Sequence, residues 1–510
     1  MSNKKGPYYP NCNESVWLRS CDEEITTPIQ GVVTGKIPPW LRGCLIRNGP
    51  GSLKVGDDRY EHLFDCSALL HRFGIYDGTV TYQCRFINTE RSRKNRAANR
   101  IVVTEFGTKA VPDPCHTIFD RISAIFNPGE HMSDNAMISV YPFGDEMYAF
   151  AETPIVYRID PETLDTCGKK NLTDAVTLVN HTSHPHVMPN GDVYNVGMSF
   201  VKGRVRHIIV KFPRLEKGDM FEKAEIVGSM KPRWPLHPGY MHTFGITENY
   251  YVILEQPLGI SLIGTIKNQI ANRPLISSLN WYPKRGTHIV LISRNTGKEV
   301  KRFTTDAMFY LHIINTYEED GMLTLDVCAY KDPKVIDAMY IQAIETMHEN
   351  ASYASWFRAR PQRLRVSLDA PPLTRVNPTH IVELGCETPR IYYEVYNGRP
   401  YRYFYAISSD VDAENPGTLI KVDTYTGNAM TWCETDCYPS EAVFVALPDA
   451  KEEDDGVLLS ALVWSSNPRT VGLLILNAKD MTEIARATFN TPSDTPKCLH
   501  GWFRADTNQR

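Results

Sequence analysis

The stretch that decides the fold is residues 473–489, LLILNAKDMTEIARATF, where two runs of β-forming residues flank a short polar segment. The segment Asn-Ala-Lys-Asp is rich in the residues that favour turns, because asparagine and aspartate side chains hydrogen-bond to nearby backbone. A strand-like run, an Asx turn and a second strand-like run together predict a β-hairpin.

The same strand-turn-strand pattern recurs along the whole chain. It is found at 155–167 (IVYRIDPETLDTC), 289–303 (IVLISRNTGKEVKRF), 419–432 (LIKVDTYTGNAMTW) and, less regularly, 69–86 (LLHRFGIYDGTVTYQCRF). Further strand-like runs occupy 146–152, 192–201, 250–256, 322–330, 402–408 and 456–464. Helical periodicity is confined to 333–352. The pattern predicts an all-β, antiparallel protein.

Many hairpins without a separating linker indicate one closed architecture. A β-propeller satisfies this pattern, because its radial blades leave only short, protected edges. The alternative is two or three β-sandwich domains, but no stretch rich in Pro, Gly and Ser divides the 510 residues. We therefore expect residues 1–510 to form a single β-propeller domain.

Composition excludes several classes of protein. The formal net charge is -4, from 55 basic and 59 acidic residues without long runs of one sign, which argues against a nucleic-acid groove. The start of the chain lacks the apolar core of a secretory signal, and no run is apolar and long enough to span a bilayer. The 12 cysteines form no CxxC pair and are expected to be reduced thiols. These features predict a cytoplasmic location.

Histidines stand out at 181–195, HTSHPHVMPNGDVYN, where His181, His184 and His186 precede an Asn-Gly turn. Three more histidines begin strand-like runs in the same kind of context, with an apolar or aromatic neighbour and a nearby Gly, Asn or Thr: His242, His312 and His500. A single histidine of this kind is usually a core side chain bonded to a backbone carbonyl. Four matching contexts favour a shared metal site.

The spacing of these histidines suits a propeller. His242 follows His184 by 58 residues, His312 follows His242 by 70, and His500 follows His312 by 188. With blades of about 60 to 70 residues, the gaps correspond to one, one and about three blades, and inner strands meet at the axis. Four imidazoles without a carboxylate ligand suit Fe, Cu, Ni or Zn rather than Mg or Ca, which prefer oxygen.

Three glutamates lie in strand contexts among apolar and aromatic residues: Glu152, Glu387 and Glu441. Metal-bound histidines usually donate their second ring NH to a carboxylate or a carbonyl, which fixes the tautomer and supplies negative charge. Each glutamate alone is more typical of a surface residue. As a set, the three are candidates for this supporting role.

Motifs in one order along nearly the whole chain resemble the carotenoid cleavage oxygenase family. They are GKIPPWLRGCLIRNGPG (35–51), YEHLFDCSALLHRF (60–73), VPDPCHTIF (111–119), HPHVMPNGDVYNVG (184–197), MHTFGIT (241–247), HIINTYEEDG (312–321), YPSEAVFVALPDAKEEDDGVLLS (438–460), LLILNAKDMTEIARA (473–487) and HGWF (500–503). The resemblance implies a seven-bladed β-propeller with a helical or loop cap over an axial metal site, and a non-haem Fe(II) ion held by four histidines.

Carried over motif by motif, the resemblance implies specific roles. The ligands are the first histidine of HPH together with those of MHTFGIT, HIINT and HGWF: His184, His242, His312 and His500. The carboxylates behind them are Glu152, Glu387 and Glu441. His181 and His186 are then not ligands, which the residue pattern alone leaves open.

The resemblance is strongest to the insect branch of the family, which it shares most clearly in three stretches: WLRSCDEEITTPIQG, VGDDRYEHLFDCSALLHRFGI and RSRKNRAANRIVVTEFGT. That branch implies cleavage of a C40 carotenoid such as zeaxanthin, lutein or β-carotene at the central 15,15' double bond. O2 is the co-substrate, and the products are two retinal-type aldehydes, one isomerised from trans to 11-cis to supply visual chromophore. A retinoid isomerohydrolase and a non-catalytic carotenoid-binding propeller are the alternatives.

A water-insoluble carotenoid requires contact with a membrane. Residues 257–281, PLGISLIGTIKNQIANRPLISSLNW, interrupt the strand pattern with isoleucines at roughly helical spacing: Ile260, Ile263, Ile266 and Ile270. This pattern is typical of a helix in one leaflet, the alternative being a cap helix packed on the propeller. The resemblance favours membrane contact here, and thus a peripheral protein. Cys115 matches a cysteine palmitoylated in some relatives, the alternative being a plain buried thiol.

Overall fold

The computed structural model describes residues 7–111, 133–215 and 219–506. In these residues, seven antiparallel sheets of four to six strands follow one another as the blades of a propeller. Two short ribbons of two strands lie outside the blades. The predicted all-β, seven-bladed β-propeller is therefore confirmed.

The strands of the first three blades alternate along the chain with short connections. Blade 1 contains Ile25–Gln30, Gly43–Ser52, Ser67–Tyr76, Thr79–Phe86 and Gly501–Ala505. Blade 2 contains Ser139–Phe143, Glu146–Phe150, Ile155–Ile159 and Thr166–Asn171. Blade 3 contains Leu178–His181, His186–Val187, Val193–Val201, Arg204–Phe212 and Glu225–Met230.

The remaining blades repeat this plan. Blade 4 contains Gly245–Ile246, Tyr250–Glu255, Thr287–Ser293 and Glu299–Thr305, and blade 5 contains Phe309–Glu319, Met322–Tyr330, Arg360–Ser367 and Thr379–His380. Blade 6 contains Glu387–Arg390, Tyr403–Ile407, Thr418–Asp423 and Ala429–Cys433. Blade 7 contains Val32–Gly35, Cys437–Pro439, Val443–Ala446, Gly456–Trp464, Thr470–Asn477 and Glu483–Asn490. The ribbons pair Lys54–Val55 with Asp58–Arg59 and Leu258–Ile260 with Leu279–Trp281.

The hairpins predicted from sequence share one turn geometry. In 473–489, the Met481 NH donates to the Asn477 carbonyl at 2.9 Å. Met481 has the left-handed φ of 61° that closes such a turn. The same bond from the fifth residue to the first closes the hairpins at 155–167, 289–303 and 419–432. The recurrent Asx-containing pattern therefore corresponds to one type of hairpin turn between blade strands.

The ring is closed twice by pairing distant parts of the chain. Gly501–Ala505 pairs with Gly43–Arg47 at the inner side of blade 1, while Val32–Gly35 completes the outer side of blade 7 by pairing with Ala485–Thr488. Apolar side chains of the two blades pack into a continuous buried cluster. Burial of this interface stabilises the closed ring at roughly 25 cal/mol per Å² of apolar surface.

Several inner strands are interrupted where they face the axis. In blade 3, the segments Leu178–His181 and His186–Val187 both pair with Val193–Val201 and leave residues 182–185 outside the ladder. Blade 7 is interrupted between Pro439 and Val443 in the same way. The inner strand of blade 5 has a register shift between Tyr310 and Ile313. Such irregularities redirect side chains, and here each one contains a predicted site residue.

Helices interrupt the strand pattern, and long connections of blades 1, 4 and 5 form the cap. In the ranges that the structure describes, the α-helices are Glu90–Ala98, Leu172–Val176, Leu262–Ile270, Lys334–Ala338, Ile341–Glu345, Tyr353–Trp356 and Tyr393–Tyr396, and the 3-10 helices are Glu14–Trp17, Leu63–Asp65, Met220–Lys223, Leu275–Ser278 and Met347–Glu349. The helical pattern at 333–352 is confirmed, as three short helices rather than one. Insertions of blades 1, 4 and 5 contact one another, with His62 Nε2 at 2.9 Å from the Ile336 carbonyl and the Ile276 NH donating to Phe106 at 2.9 Å.

The segment 257–281 combines strand and helix. It consists of a two-stranded ribbon around the helix Leu262–Ile270 and the turn Leu275–Ser278. Ser261 caps the helix by accepting from the Gly264 NH at 3.0 Å. Among the residues that the structure describes, no helix has the length and apolar character needed to cross a membrane.

Candidate metal centre

The four histidines predicted as ligands form one cluster. The His184 ring centre lies 4.7 Å from that of His242, 5.0 Å from that of His312 and 4.6 Å from that of His500. His312 is also 5.1 Å from His242 and 4.9 Å from His500. His242, His312 and His500 are buried and His184 is partly buried. Residues up to 316 positions apart in sequence therefore meet at one point.

Each histidine comes from the inner side of a different blade. His184 lies in the interruption of blade 3, His242 precedes the inner strand of blade 4, and His312 lies at the register shift of blade 5. His500 precedes the closing strand of blade 1. The next residue is Gly501, where an added Cβ would lie 2.6 Å from the Ile46 carbonyl oxygen, so only glycine fits beside this histidine.

Each of three histidines has one glutamate behind it. His242 Nδ1 is 2.5 Å from Glu152 and His312 Nδ1 is 2.5 Å from Glu387. His500 Nδ1 is 2.8 Å from Glu441. A carboxylate accepts at this distance, so each Nδ1 carries the proton and each Nε2 keeps its lone pair. The structure thus brings together all seven predicted site residues and pairs them across blades.

The Nε2 atoms fit a cation at the centre of the cluster. The Nε2 atoms of His184 and His242 are 3.1 Å apart. Within the described chain, the buried His312 Nε2 has no hydrogen-bond partner. The ligand atoms of His184, His242 and His312 all lie within 4.8 Å of one another. A transition-metal ion bound among these three histidines would take the place of the missing partner of His312 Nε2.

Burial favours the neutral form of two of the histidines. It lowers the pKa of His184 well below its ordinary value, and the neighbouring imidazoles lower it further. Burial also lowers the pKa of His500, to about 4, against the opposing effect of Glu441. Neutral imidazole is the form that binds a metal, so these two side chains need no deprotonation at neutral pH.

The two remaining histidines of the HTSHPH stretch are hydrogen-bonded elsewhere. His181 Nδ1 is 2.8 Å from the Thr182 carbonyl. His186 Nδ1 is 2.7 Å from the Tyr393 hydroxyl, and its Nε2 donates to the Phe244 carbonyl at 2.9 Å. Both rings therefore have hydrogen-bond partners outside the four-histidine cluster.

Three further residues of the site were not predicted from the sequence. The Tyr240 hydroxyl donates to Glu152 at 2.9 Å. The Tyr141 hydroxyl lies 3.3 Å from His184 Nδ1, where the other three histidines have a carboxylate. Arg390 donates to both oxygens of Glu441 at 2.9 and 3.1 Å. The one available sequence signal was the position of Arg390 on the same short strand as Glu387.

A small cavity adjoins the cluster. It has a volume of about 90 Å³, and its walls include three of the histidines, Glu441 and Arg390. The other walls come from inner strands and from the connection of blade 6 that contains Tyr393. Sites for drug-sized ligands measure about 300–1,000 Å³, so this cavity by itself has room for a few water-sized molecules.

The fold and the cluster together define the class of protein: a seven-bladed β-propeller with an all-imidazole centre at its axis. A sequence model described as RPE65, retinal pigment epithelial membrane protein, matches residues 18–505. The chain is 68% identical to a carotenoid isomerooxygenase of Galleria mellonella over 97% of each chain. It is 47% identical to that of Drosophila melanogaster over 98% of this chain and 94% of the other.

More distant similarities extend the comparison. The chain is 38% identical to a β,β-carotene 15,15'-dioxygenase of Mus musculus over 95% of this chain and 91% of the other. A crystal structure of cobalt-substituted apocarotenoid oxygenase from Synechocystis shares the fold with a TM-score of 0.80 at 23% identity, over 97% of this chain and 100% of the other. The chain therefore belongs to the RPE65 family, which includes the carotenoid isomerooxygenases. The resemblance seen in the sequence motifs is confirmed.

Proposed function

We propose that this protein is a non-haem Fe(II) dioxygenase that cleaves a C40 carotenoid, such as zeaxanthin, lutein or β-carotene, at the central 15,15' double bond. The observation that carries the proposal is the cluster of four imidazoles, three of which have ring nitrogens within 4.8 Å of one another. Relatives covering nearly the whole chain are carotenoid isomerooxygenases and a carotene 15,15'-dioxygenase. The name isomerooxygenase of the two insect relatives supports coupled isomerisation of one product. We propose that this isomerisation is trans to 11-cis and supplies visual chromophore.

The residues that would hold the ion are His184, His242, His312 and His500. A ferrous ion held by these side chains would supply the redox chemistry that dioxygen needs. Both atoms of one O2 enter the products, one in each aldehyde, so the reaction balances without a nicotinamide, a flavin or another reductant. Four nitrogen ligands without a carboxylate are a set that suits iron and excludes magnesium and calcium.

The protein's own residues fix and shield this centre. Glu152, Glu387 and Glu441 hold three imidazoles in one tautomer and orientation through bonds of 2.5 to 2.8 Å. The negative charges of Glu152 and Glu387 would offset the charge of the ion, which neutral ligands leave uncompensated. Burial of the cluster excludes bulk water, so the main work of the protein is to position the polyene and protect it from side reactions.

Isotope labelling tests the reaction. Purified protein is incubated with zeaxanthin under 18O2, and the products are analysed by mass spectrometry and geometric chromatography. We expect one 18O atom in each aldehyde and 11-cis geometry in one of the two. Aldehydes without label would contradict the dioxygenase proposal, and conversion of a retinyl ester in place of zeaxanthin would favour a retinoid isomerohydrolase.

Iron analysis tests the ligand set. We expect about one iron per chain in the wild type and loss of most of it in His312→Ala. His380→Ala is the matched control, because His380 also bonds a glutamate, Glu383 at 2.6 Å, but lies on the surface. Equal iron and unchanged pigment binding in His312→Ala would instead favour a non-catalytic carotenoid-binding propeller.

We also propose that segment 257–281 contacts a membrane surface and that the protein is cytoplasmic and peripherally bound. Ile263 and Ile266 on the helix are 51% and 43% exposed, and Leu275 beyond it is 38% exposed. Lys267 and Arg273 lie at its exposed polar positions. An exposed apolar face beside basic residues suits the boundary between headgroups and acyl chains.

Flotation with liposomes tests this contact. Ile263→Asp/Ile266→Asp is expected to lose most of its binding to vesicles of phosphatidylcholine and phosphatidylserine. Ile226→Asp/Val300→Asp is the control, because these two residues are 44% and 51% exposed on outer strands of blades 3 and 4. Equal losses in both variants would refute the assignment to 257–281. The proposed acylation site, Cys115, lies outside the described residues, and mass spectrometry before and after hydroxylamine tests it.

A further inference from the structure

The three glutamates behind the histidines differ in what else they contact. Besides its histidine, Glu152 accepts from the Tyr240 phenol at 2.9 Å, and Glu387 accepts from the Thr388 NH at 2.9 Å. Glu441 accepts two bonds from the Arg390 guanidinium, at 2.9 and 3.1 Å. A guanidinium that bonds both oxygens of a carboxylate is the strongest pairing available to it.

A second cation and a backbone donor complete the surroundings of Glu441. Arg47 Nη1 lies 3.5 Å from its second oxygen, and the Gly501 NH donates to that oxygen at 3.0 Å. Glu441 is therefore an ion whose charge is already shared among several donors.

The histidine in front of Glu441 reflects this sharing. The His500 Nδ1–Glu441 distance is 2.8 Å, whereas His242 and His312 lie 2.5 Å from their glutamates. A carboxylate that is neutralised by a guanidinium accepts a proton less strongly. Its histidine keeps more of the Nδ1 proton and is the poorer electron donor through Nε2.

We propose that Arg390 is a positioning residue that acts through Glu441 and His500 to favour the ferrous over the ferric state of the bound iron. The inference rests on the proposed function, since it takes iron to be the metal. A ferric ion has one more positive charge than a ferrous ion and is stabilised by strong donors. Arg390 weakens one donor and adds a positive charge nearby, and both effects oppose oxidation of the ion.

Arg390 and Glu441 lie where water and salt weaken their electrostatic effect only slightly. Its side chain is 15% exposed and that of Glu441 is 2% exposed, so salt and water screen the pair weakly. Arg390 also lines the small cavity beside the cluster, together with His184, His312 and His500. Its Nη2 donates to the Gly501 carbonyl at 2.7 Å and so holds the residue that follows His500. If Arg390 were only structural, this bond to the Gly501 carbonyl would be its main contribution.

Redox titration of the iron-loaded protein with mediator dyes tests the proposal. Each ferric ion takes one electron from the reduced mediator, and the loss of the ferric EPR signal is followed. Arg390→Gln, which loses the charge, is expected to favour the ferric state at least tenfold, which corresponds to 59 mV for a one-electron couple. Arg390→Lys keeps the charge and is expected to change the equilibrium less than threefold.

The control is Arg363→Gln. Arg363 forms an equally bidentate pair with the buried Asp326, at 2.8 and 2.8 Å, in blade 5. It should lose a similar amount of stability without a change in potential. Arg390→Met is a second neutral variant with a long stem, for use if Arg390→Gln does not fold. Zinc affinity is measured in addition, and in the neutral variant it should equal or exceed that of the wild type.

The outcomes separate the two proposals. Wild-type protein that binds no iron refutes the proposed function. Wild-type and neutral variants that bind iron at the same potential refute the role of Arg390 and leave the function standing. If the neutral variants and Arg390→Lys all bind zinc more weakly than the wild type and to the same extent, Arg390 has a structural role. This result would also overturn the inference.

Discussion

The sharpest test of the histidine–glutamate pairs is the substitution Glu387→Gln. Glu387 accepts from His312 Nδ1 at 2.5 Å, and its side chain is only 13% exposed. Its second oxygen is buried and, within the described chain, without a hydrogen-bond partner. Glutamine has the same shape and keeps an oxygen that can accept from His312. The substitution therefore removes the charge and leaves the packing in place.

The expected magnitude follows from the kind of bond that is lost. A hydrogen bond to a charged group contributes roughly 1.5–3 kcal/mol and a neutral one about 0.5–1.5 kcal/mol, so the bond alone accounts for about 1–1.5 kcal/mol. The lost negative charge behind a dication adds to this. Substitutions of this type typically cost about 10–100-fold in metal affinity. At about 1.4 kcal/mol per tenfold, the range is about 1.4–2.7 kcal/mol.

Metal affinity is measured by competition between the metal-free protein and a chromophoric zinc chelator. Glu387→Gln should bind about 10–100-fold more weakly, in line with that range. Thermal unfolding of the metal-free protein should change little, because an amide replaces a buried carboxylate of the same size. Glu383→Gln is the matched control, since Glu383 also bonds a histidine, His380, at 2.6 Å but is 77% exposed. It should bind zinc as the wild type does.

Three results would refute this reasoning. Zinc affinity of Glu387→Gln within about twofold of the wild type would mean that the carboxylate does not support a metal ligand. An equal loss in Glu383→Gln would mean that the effect is general electrostatics. A loss of affinity that accompanies unfolding of the metal-free protein would indicate a role of Glu387 in the fold alone.

Three other predictions concern stability. Burial lowers the pKa of His62 to about 4 and those of His71 and His207 to about 3. The unfolded chain protonates these histidines from about pH 6.5 downward, whereas the folded chain keeps them neutral, so the free energy of unfolding is highest above that pH and falls as the pH is lowered. Urea titrations should show that the free energy of unfolding at pH 5.5 is about 4 kcal/mol lower than at pH values well above 6.5. The two ring nitrogens of His207 have no partner in the described chain, and this histidine should account for about a third of that loss. His207→Leu should therefore reduce the pH dependence of the free energy of unfolding by about a third. An unchanged pH dependence would refute this. Truncation after His500 removes the strand that pairs with Gly43–Arg47 and should prevent the cooperative thermal transition that His500→Ala keeps; a folded truncated chain would show that this strand is dispensable.

Local features of the fold could be predicted from sequence because their cause is local. The turn in 473–489 is closed by a bond between Asn477 and Met481, and both partners lie within the quoted stretch. Ring closure is different, since Gly501–Ala505 meets Gly43–Arg47 across more than 450 positions. No periodicity encodes that pairing. The number of blades therefore came from resemblance to a family and not from the pattern itself.

Some features of the site could likewise be predicted from the sequence, and others required the structure. Residue type and spacing identified the histidines as candidates, but the choice of His184 over His181 and His186 depended on the family motif. The pairing of His242 with Glu152 and of His312 with Glu387 joins different blades, so only the structure reveals it. Tyr141, Tyr240 and Arg390 were missed because tyrosines are common on strands and arginines on surfaces.

The split inner strand of blade 3 and the late position of His500 have a consequence for how the protein matures. His500 becomes fixed only when the closing strand docks beside Gly43–Arg47. A chain that has assembled blades 2 to 6 can present His184, His242 and His312, but the fourth nitrogen is still absent. If iron binds as proposed, full affinity therefore requires a closed ring, and iron binding during refolding should follow the pairing of Gly501–Ala505 with Gly43–Arg47.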